Sequence, residues 1–201
     1  MKAVLLAVAA VVVLLIGLTS LAGAALVTVT STGPAPAGGT DAPAGAVSSA
    51  GWVRPVPGRV GSGFRTADRP GHDGVDLITP RYTVVRAASA GTVVTVVCNA
   101  HRRDGTPYSC DRDGSPDVLG CGWYAELRHP SGVVTRYCHL VEHPAVHVGQ
   151  TVSAGDPIGR VGTSGNSSGS HLHFETHTSY PADTANATDP AAFMAAHSVT
   201  L

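Results

Sequence analysis

The sequence predicts an all-β domain of short strands, and three observations carry that prediction. Two apolar runs, Thr83–Ala87 and Thr92–Val97, are rich in the β-branched residues that favour strands. The chain holds 24 glycines and 14 prolines, which break its apolar runs into short segments. Trp123–His129 and Val133–His139 flank the turn signal Pro130-Ser131-Gly132, and this is the pattern of a β-hairpin.

The N-terminal segment, residues 1–30, predicts export. Lys2 precedes a nearly continuous apolar run from Ala3 to Val29. Since about 20 apolar residues span a bilayer, the run is long enough for an uncleaved membrane anchor that leaves the C-terminal part outside the cytoplasm. A signal peptide cleaved after Ala24, at the small residues Ala22-Gly23-Ala24, is the alternative. Either way, we expect the rest of the protein to lie at the extracellular face of the membrane or in the cell wall.

The domain organisation follows from composition. Residues 31–51 are rich in Pro, Ala, Gly, Ser and Thr and predict a flexible linker. Residues 52–201 then form the folded domain, with its core at 56–190. The net charge is −1 and there is no run of Lys or Arg, so nucleic acid is not an expected partner. The membrane is a partner only through an uncleaved N-terminal segment.

Within the domain, the remaining elements are predicted from the same signals. Trp52–Phe64 is expected to be mostly irregular because it contains several glycines and prolines. Val148–Gly162 predicts two short strands, and Thr163–Ser170 predicts a loop rich in serine and glycine. The start signal Asp189-Pro190 predicts a short helix that reaches His197.

Four cysteines, Cys98, Cys110, Cys121 and Cys138, predict two disulfides, because an even count is typical of exported domains. Three pairings are possible. We expect Cys110–Cys121, which would close a local loop, and Cys98–Cys138, which would join two strand ends. The polar stretch Asn99–Gly120 is predicted to be a long loop pinned by Cys110 and Cys121. A four-cysteine zinc site is the alternative, although the sequence has no Cys-x-x-Cys pair.

The segment Gly169–Glu175 is the first candidate for chemistry. As a strand, it would place His171, His173 and Glu175 on one face and the apolar residues between them on the other. Two imidazoles about 7 Å apart at their Cα atoms then point into the same space. That arrangement suits a metal, or one metal ligand beside an acid/base group. Glu175 is a candidate partner for a histidine N–H.

A second candidate pair is His72 and Asp76, which are four residues apart. On a straight strand they would lie roughly 13 Å apart, too far to share one ion. The turn signal Asp73-Gly74 between them folds the chain so that both can converge, and Val75–Ile78 then enters the sheet.

A third candidate, His139, ends the second strand of the predicted hairpin. Strand alternation would put Tyr137 on the same face as His139 and turn Cys138 to the other face.

These stretches together resemble the zinc metallopeptidases of the lysostaphin and LytM type. The resemblance is carried by His72-x-x-x-Asp76, Tyr137-Cys-His139 and His171-Leu-His173, with Gly61–Arg65 and Thr163–Gly169. The segment from Val148 is also typical of the family, and the resemblance covers roughly residues 56–190. It implies a mostly antiparallel β-sheet domain, similar to a duplicated hybrid motif, with a zinc groove walled by loops.

The resemblance also implies roles for single residues. The implied zinc ligands are His72, Asp76 and His173, with one Zn²⁺ per chain and water in the fourth position. His139 and His171 would be the catalytic histidines. Spacing alone would equally allow His171 and His173 both to be ligands.

The function that the resemblance implies is an exported zinc endopeptidase. It would hydrolyse peptide bonds in bacterial cell-wall peptidoglycan, with a zinc-activated water as nucleophile. The alternative is a non-catalytic LytM-like domain that binds peptidoglycan or activates another wall hydrolase; the presence of all five site residues counts against it. The insertion Asn99–Gly120 departs from the family pattern and would form one groove wall.

Overall fold

The computed structural model of the protein describes residues 45–201. The predicted export segment and most of the predicted linker, with the boundary at 30, lie outside these residues. The boundaries at 30 and 51 stay predictions. Within residues 45–201, no helix is both long and apolar enough to cross a membrane.

Twelve strands and one short helix follow one another along this part of the chain. The strands are β1 (Arg59–Ser62), β2 (Val75–Ile78), β3 (Val84–Arg86), β4 (Gly91–Cys98), β5 (His101–Arg102), β6 (Val118–Leu119), β7 (Trp123–Arg128), β8 (Val134–Leu140), β9 (Thr151–Val152), β10 (Pro157–Arg160), β11 (His171–His177) and β12 (Ala187–Thr188), and the helix is α1 (Pro190–Ala196). The all-β prediction is therefore confirmed.

One antiparallel sheet organises the described part of the chain. Its strands lie in the order β1-β2-β11-β8-β7-β4-β9, and β12 adds to β11. The predicted hairpin is confirmed as β7 and β8, which pair through most of their length. Strand β11 lies between β2 and β8, so the predicted His-x-His segment occupies the centre of the sheet.

The two faces of this sheet differ in chemistry. On the core face, Leu77 of β2 and Leu172 of β11 are fully buried, and the rings of Phe174 and Tyr137 pack with their centroids 5.4 Å apart. The opposite side, which carries Asp76 and His173, is here called the groove face. Successive side chains of β11 alternate between the core face and the groove face, as predicted.

The predicted helix is confirmed as α1. Asp189 is its N-cap, and its carboxylate accepts hydrogen bonds from the backbone N–H groups of Ala191 and Ala192. Pro190 occupies the first turn, where its missing N–H costs nothing. Met194 buries its side chain completely and joins the hydrophobic core that the core face of the sheet helps to form.

The segment Trp52–Phe64 is mostly irregular, as predicted, and its one strand is β1, a four-residue exposed edge strand with a bulge near Gly61. Strand β3 does not join the main sheet but pairs with β10 in a separate two-stranded sheet. The predicted loop Asn99–Gly120 also contains a small ladder, β5 with β6.

Both disulfides form, but the predicted pairing was wrong. Cys98 bonds to Cys110, with Cα atoms 5.8 Å apart, and Cys121 bonds to Cys138, with Cα atoms 4.9 Å apart. The reason is the strand order: β7 lies between β4 and β8, so Cys98 and Cys138 are separated by a whole strand. Two strand spacings are about 9.5 Å, beyond the Cα separation that a disulfide can bridge. All four cysteines are oxidised, which leaves none for the alternative zinc site.

Candidate metal centre

Three strands and one turn position the central cluster. In the register of the sheet, His173 of β11 lies opposite Asp76 of β2 on one side and opposite Cys138 of β8 on the other. His72 comes from the turn that precedes β2. Gly74 lets this turn pass close to β11, because a Cβ atom at position 74 would lie only 2.8 Å from Cε1 of the His173 ring.

The donor atoms of three predicted residues converge at this point. Nε2 of His72 lies 3.0 Å from Oδ1 of Asp76 and 3.0 Å from Nδ1 of His173. Nδ1 of His173 lies 2.9 Å from the same oxygen of Asp76. His72 and Asp76 do come together as expected, with the chain bending at Gly74 between them.

The outer nitrogen of each imidazole is held by an acceptor. Nδ1 of His72 donates to the carbonyl oxygen of Gly63 at 2.7 Å, and Nε2 of His173 donates to Oε1 of Glu175 at 2.9 Å. The predicted contact between Glu175 and a histidine is thus confirmed. Since each neutral imidazole has one N–H, both inner nitrogens then carry lone pairs.

The cluster suits a cation. With both imidazoles neutral, two nitrogens and one carboxylate oxygen point into one space as acceptors. In the metal-free cluster the raised pKa of His173 places a proton between its Nδ1 and Asp76, and a cation would take the place of that proton. Nitrogen and carboxylate donors of this kind, each held from behind by a hydrogen bond, form the three-protein-ligand sites of catalytic zinc. The donor set therefore fits zinc.

The cluster perturbs the acidity of its own members. Burial raises the pKa of Asp76, but its hydrogen bonds with His171, His173 and His72 outweigh burial and hold that pKa well below its usual range. Burial lowers the pKa of His173, but hydrogen bonds to Asp76 and Glu175 outweigh burial and raise it to about 9. Asp76 is therefore a carboxylate over the whole physiological pH range.

His139 lies on the groove face, although strand alternation predicted otherwise. Its φ of 63° is left-handed, a conformation in which histidine is enriched, and this breaks the alternation of β8. Tyr137 remains in the core, whereas the ring of His139 packs against that of His171 with centroids 4.8 Å apart. The prediction that Tyr137 and His139 share a face, with Cys138 opposite, was wrong.

His139 and His171 are each oriented by a hydrogen bond from the ring to a backbone carbonyl oxygen. Nδ1 of His139 donates to the carbonyl oxygen of Ser164 at 2.8 Å, and Nδ1 of His171 donates to that of Gly169 at 2.8 Å. In the neutral rings Nε2 carries the lone pair, and Nε2 of His171, 3.5 Å from Oδ1 of Asp76, donates to that oxygen only in the protonated ring. Burial, with His173 and His171 nearby, lowers the pKa of His139 to about 3, so this imidazole is neutral.

All five predicted site residues line one groove of about 540 Å³. The insertion supplies part of one wall through Asn99, Pro116 and Gly120, and the Ser/Gly loop supplies Asn166, Ser167 and Ser168. The expectation that the insertion contributes a groove wall agrees with this lining.

Arg69 is a groove residue that the sequence did not single out. Its Nη1 donates to Oδ2 of Asp76 at 2.7 Å and to Oγ of Ser62 at 2.8 Å. By occupying Oδ2, it leaves Oδ1 to face the two histidines. A lone arginine in a polar turn carries no spacing signal, so only the folded turn reveals this contact.

The fold and site together define an antiparallel-sheet domain with a groove in which two histidines and one aspartate converge as candidate metal ligands. The chain belongs to peptidase family M23, whose family model matches residues 70–190. The solved structure of the antimicrobial peptidase lysostaphin from Staphylococcus simulans superimposes with a TM-score of 0.56 at 27% identity, covering 70% of this chain and 50% of that one.

Curated relatives are similar over the same region. An uncharacterized metalloprotease of Haemophilus influenzae is 36% identical over 123 residues, which is 61% of this chain and 20% of the relative. The DD-carboxypeptidase/endopeptidase Mpg of Neisseria meningitidis is 33% identical over 104 residues, 52% of this chain and 19% of the relative. The chain thus matches only about a fifth of the length of these two relatives.

Proposed function

We propose that the chain is an exported zinc endopeptidase that hydrolyses peptide bonds in bacterial cell-wall peptidoglycan. The observation that carries this proposal is the convergence of His72, Asp76 and His173 in a groove that also holds His139 and His171. Membership of family M23 and similarity to a DD-carboxypeptidase/endopeptidase support peptide hydrolysis. The apolar N-terminal segment supports export.

The proposed metal ligands are His72 through Nε2, Asp76 through Oδ1 and His173 through Nδ1. The structure favours this set over the alternative in which both His171 and His173 are ligands, since the donor atoms of the three residues lie within 4.8 Å of one another. Zinc held there supplies Lewis acidity, which polarises a peptide carbonyl and acidifies water at neutral pH.

His139 and His171 are the proposed proton-transfer groups. Their Nδ1–H groups are bonded to backbone carbonyls, so Nε2 is the proton acceptor of each ring. Such an imidazole takes a proton from the attacking water and, once protonated, donates it to the departing amine. A positioned base or acid of this kind contributes about 10²- to 10⁴-fold in rate.

The groove suits a peptide backbone as substrate. Apart from Arg69 and Asp76, which pair with each other, its lining consists of histidine, asparagine, serine, glycine, proline and a disulfide. Amide and hydroxyl groups such as those of Asn99, Asn166 and Ser168 donate to and accept from peptide groups without requiring a charged substrate.

The test uses the full-length protein purified in mild detergent. Zinc per chain is measured by elemental analysis, and release of new amino termini from purified peptidoglycan is measured with and without a chelator. One zinc per chain with chelator-sensitive release is the expected result. Zinc binding without cleavage would contradict the enzyme and favour the alternative, a domain that binds peptidoglycan or activates another hydrolase. A chain with neither zinc nor cleavage would contradict the whole proposal.

A further inference from the structure

A row of buried charged side chains crosses the groove face beside the metal centre. We call it the charge row; its charged members are Glu175 of β11, Arg136 of β8 and Glu126 of β7, and His177 of β11 is hydrogen-bonded to Glu175. Glu175 and Glu126 are 5% and 4% exposed, and the side chain of Arg136 is 18% exposed. In the register of the sheet, Arg136 lies opposite Glu175 on one side and opposite Glu126 on the other.

Glu175 stands between the row and the metal centre. Its Oε1 accepts the Nε2–H of His173 at 2.9 Å. Its Oε2 accepts from Nη1 of Arg136 at 2.8 Å and from Nε2 of His177 at 2.6 Å. The two donors on Oε2 fix the plane of the carboxylate, so Oε1 is left in place for His173.

Arg136 is held in turn from the far side. Its Nε donates to Oε1 of Glu126 at 2.7 Å, and its Nη2 donates to the carbonyl oxygen of Ala182 at 2.9 Å. Oε2 of Glu126 accepts from Oγ1 of Thr95 at 2.6 Å. The row therefore runs without a gap from β4 to the imidazole of His173, and each charge in it meets an opposite charge.

We propose that Glu175, Arg136 and Glu126 are positioning residues that fix His173 as a metal ligand. The inference rests on the metal-binding part of the proposed function. An imidazole ring can flip, and only one orientation presents Nδ1 to His72 and Asp76. Glu175 selects that orientation and raises the electron density on Nδ1, while Arg136 and Glu126 keep Glu175 from turning away.

Stability of the fold does not explain the row. Buried ion pairs lose their hydration and add little stability over apolar residues of similar volume. The core face shows that this sheet satisfies buried polar groups without charge: Thr135, adjacent to Arg136 on β8, is hydrogen-bonded only to the neutral side chains of His129 and Tyr137.

The test measures zinc dissociation constants of the full-length protein by competition with a chromophoric chelator, together with the melting temperature of the metal-free protein. Arg136→Met is expected to weaken zinc binding about 10- to 100-fold, as outer partners of metal-bound histidines do. Glu175→Ala is expected to do the same, and Glu175→Gln, whose amide oxygen still accepts from His173, to recover most of the affinity. Thr135→Val is the matched control: a lower melting temperature with unchanged zinc affinity is expected.

The outcomes separate this inference from the proposed function. A wild-type protein that binds no zinc overturns both. If the wild-type protein binds zinc and a folded Arg136→Met variant binds zinc with the same affinity, the positioning role alone is overturned. Equal losses of affinity in Thr135→Val and Arg136→Met would also overturn it, because affinity would then follow general stability. If Arg136→Met does not fold, Glu126→Ala decides, because alanine offers Arg136 no acceptor: unchanged zinc affinity contradicts the positioning role, and weaker affinity supports it.

Discussion

Strand β8 carries two buried polar networks on its opposite faces, and they are built differently. On the core face, Thr135 is hydrogen-bonded to Nε2 of His129 at 2.9 Å and to the hydroxyl of Tyr137 at 2.9 Å. That hydroxyl also accepts from the backbone N–H of Ala88 at 2.8 Å. On the groove face, Arg136 joins two carboxylates. Both networks are buried and satisfied, so charge, not burial, distinguishes the metal centre from the core.

This difference has a physical meaning. A neutral network satisfies backbone and side-chain groups inside a core at little cost in desolvation. Charges are retained in a buried position when something else requires them, since pairing only offsets the desolvation they suffer. Substitutions on the groove face should therefore change metal binding and catalysis, and those on the core face should change stability.

The largest effect is expected from the proposed ligands. Asp76→Ala and His173→Ala each remove one of three donors, so we expect loss of bound zinc and of peptidoglycan cleavage. Elemental analysis and the amino-terminus assay check this. Leu172→Ala, on the opposite face of β11, is the control: it should lower the free energy of unfolding by about 2–5 kcal/mol and keep one zinc per folded chain. Zinc retained in His173→Ala would break the distinction between the faces.

The next effect sharpens the division within the groove face. His139→Ala removes a proposed proton-transfer group that is not a proposed ligand, so zinc content should stay at one per chain. The cleavage rate should fall by about 10²- to 10⁴-fold. A metal-free His139→Ala protein would make His139 a ligand, and full activity would remove it from the mechanism.

A smaller effect is expected from Arg69, which contacts Asp76 from the solvent side. Arg69→Met frees Oδ2 of Asp76, so the carboxylate can rotate, and we expect zinc affinity to fall by about 10-fold. Chelator competition measures the change. Arg81→Met, which breaks the ion pair with Asp113 outside the cluster, is the matched control and should leave zinc affinity unchanged. Equal losses in both variants would deny Arg69 a specific role.

The smallest effect is expected on the core face. Tyr137→Phe leaves the backbone N–H of Ala88 buried without its acceptor, which should lower the free energy of unfolding by about 1–3 kcal/mol. Zinc affinity should not change. Tyr124→Phe, on the half-buried tyrosine of β7, removes a hydroxyl outside the network and should shift stability by less than about 0.5 kcal/mol. Loss of zinc in Tyr137→Phe would mean that the two faces are coupled.

Sequence reasoning predicted those parts of the molecule whose signals are local. Alternation along β11 predicted which side chains share its faces, and Asp189-Pro190 predicted the start of α1. The turn at Asp73-Gly74 predicted that His72 and Asp76 can meet. In each case the residues that determine the geometry are neighbours in the chain.

Features that depend on strand order or on one backbone angle were not predictable in this way. The disulfide pairing required knowing that β7 separates β4 from β8. The face of His139 depends on a single left-handed residue, which alternation cannot anticipate. Arg136 has the pattern of an ordinary outward-facing strand residue until the sheet places a glutamate on each side of it.

The separation of the converging donors along the chain has a consequence for when the site comes into existence. His72 and His173 are 101 residues apart, and Asp76 and His173 are 97 apart. Bringing them together closes most of the domain into a loop, and contacts of such long range form late and slowly. During synthesis the cluster is incomplete until β11, which supplies His173, has been made. An ion held by both ends of that loop would act as a cross-link, and its binding energy would add to the stability of the folded chain.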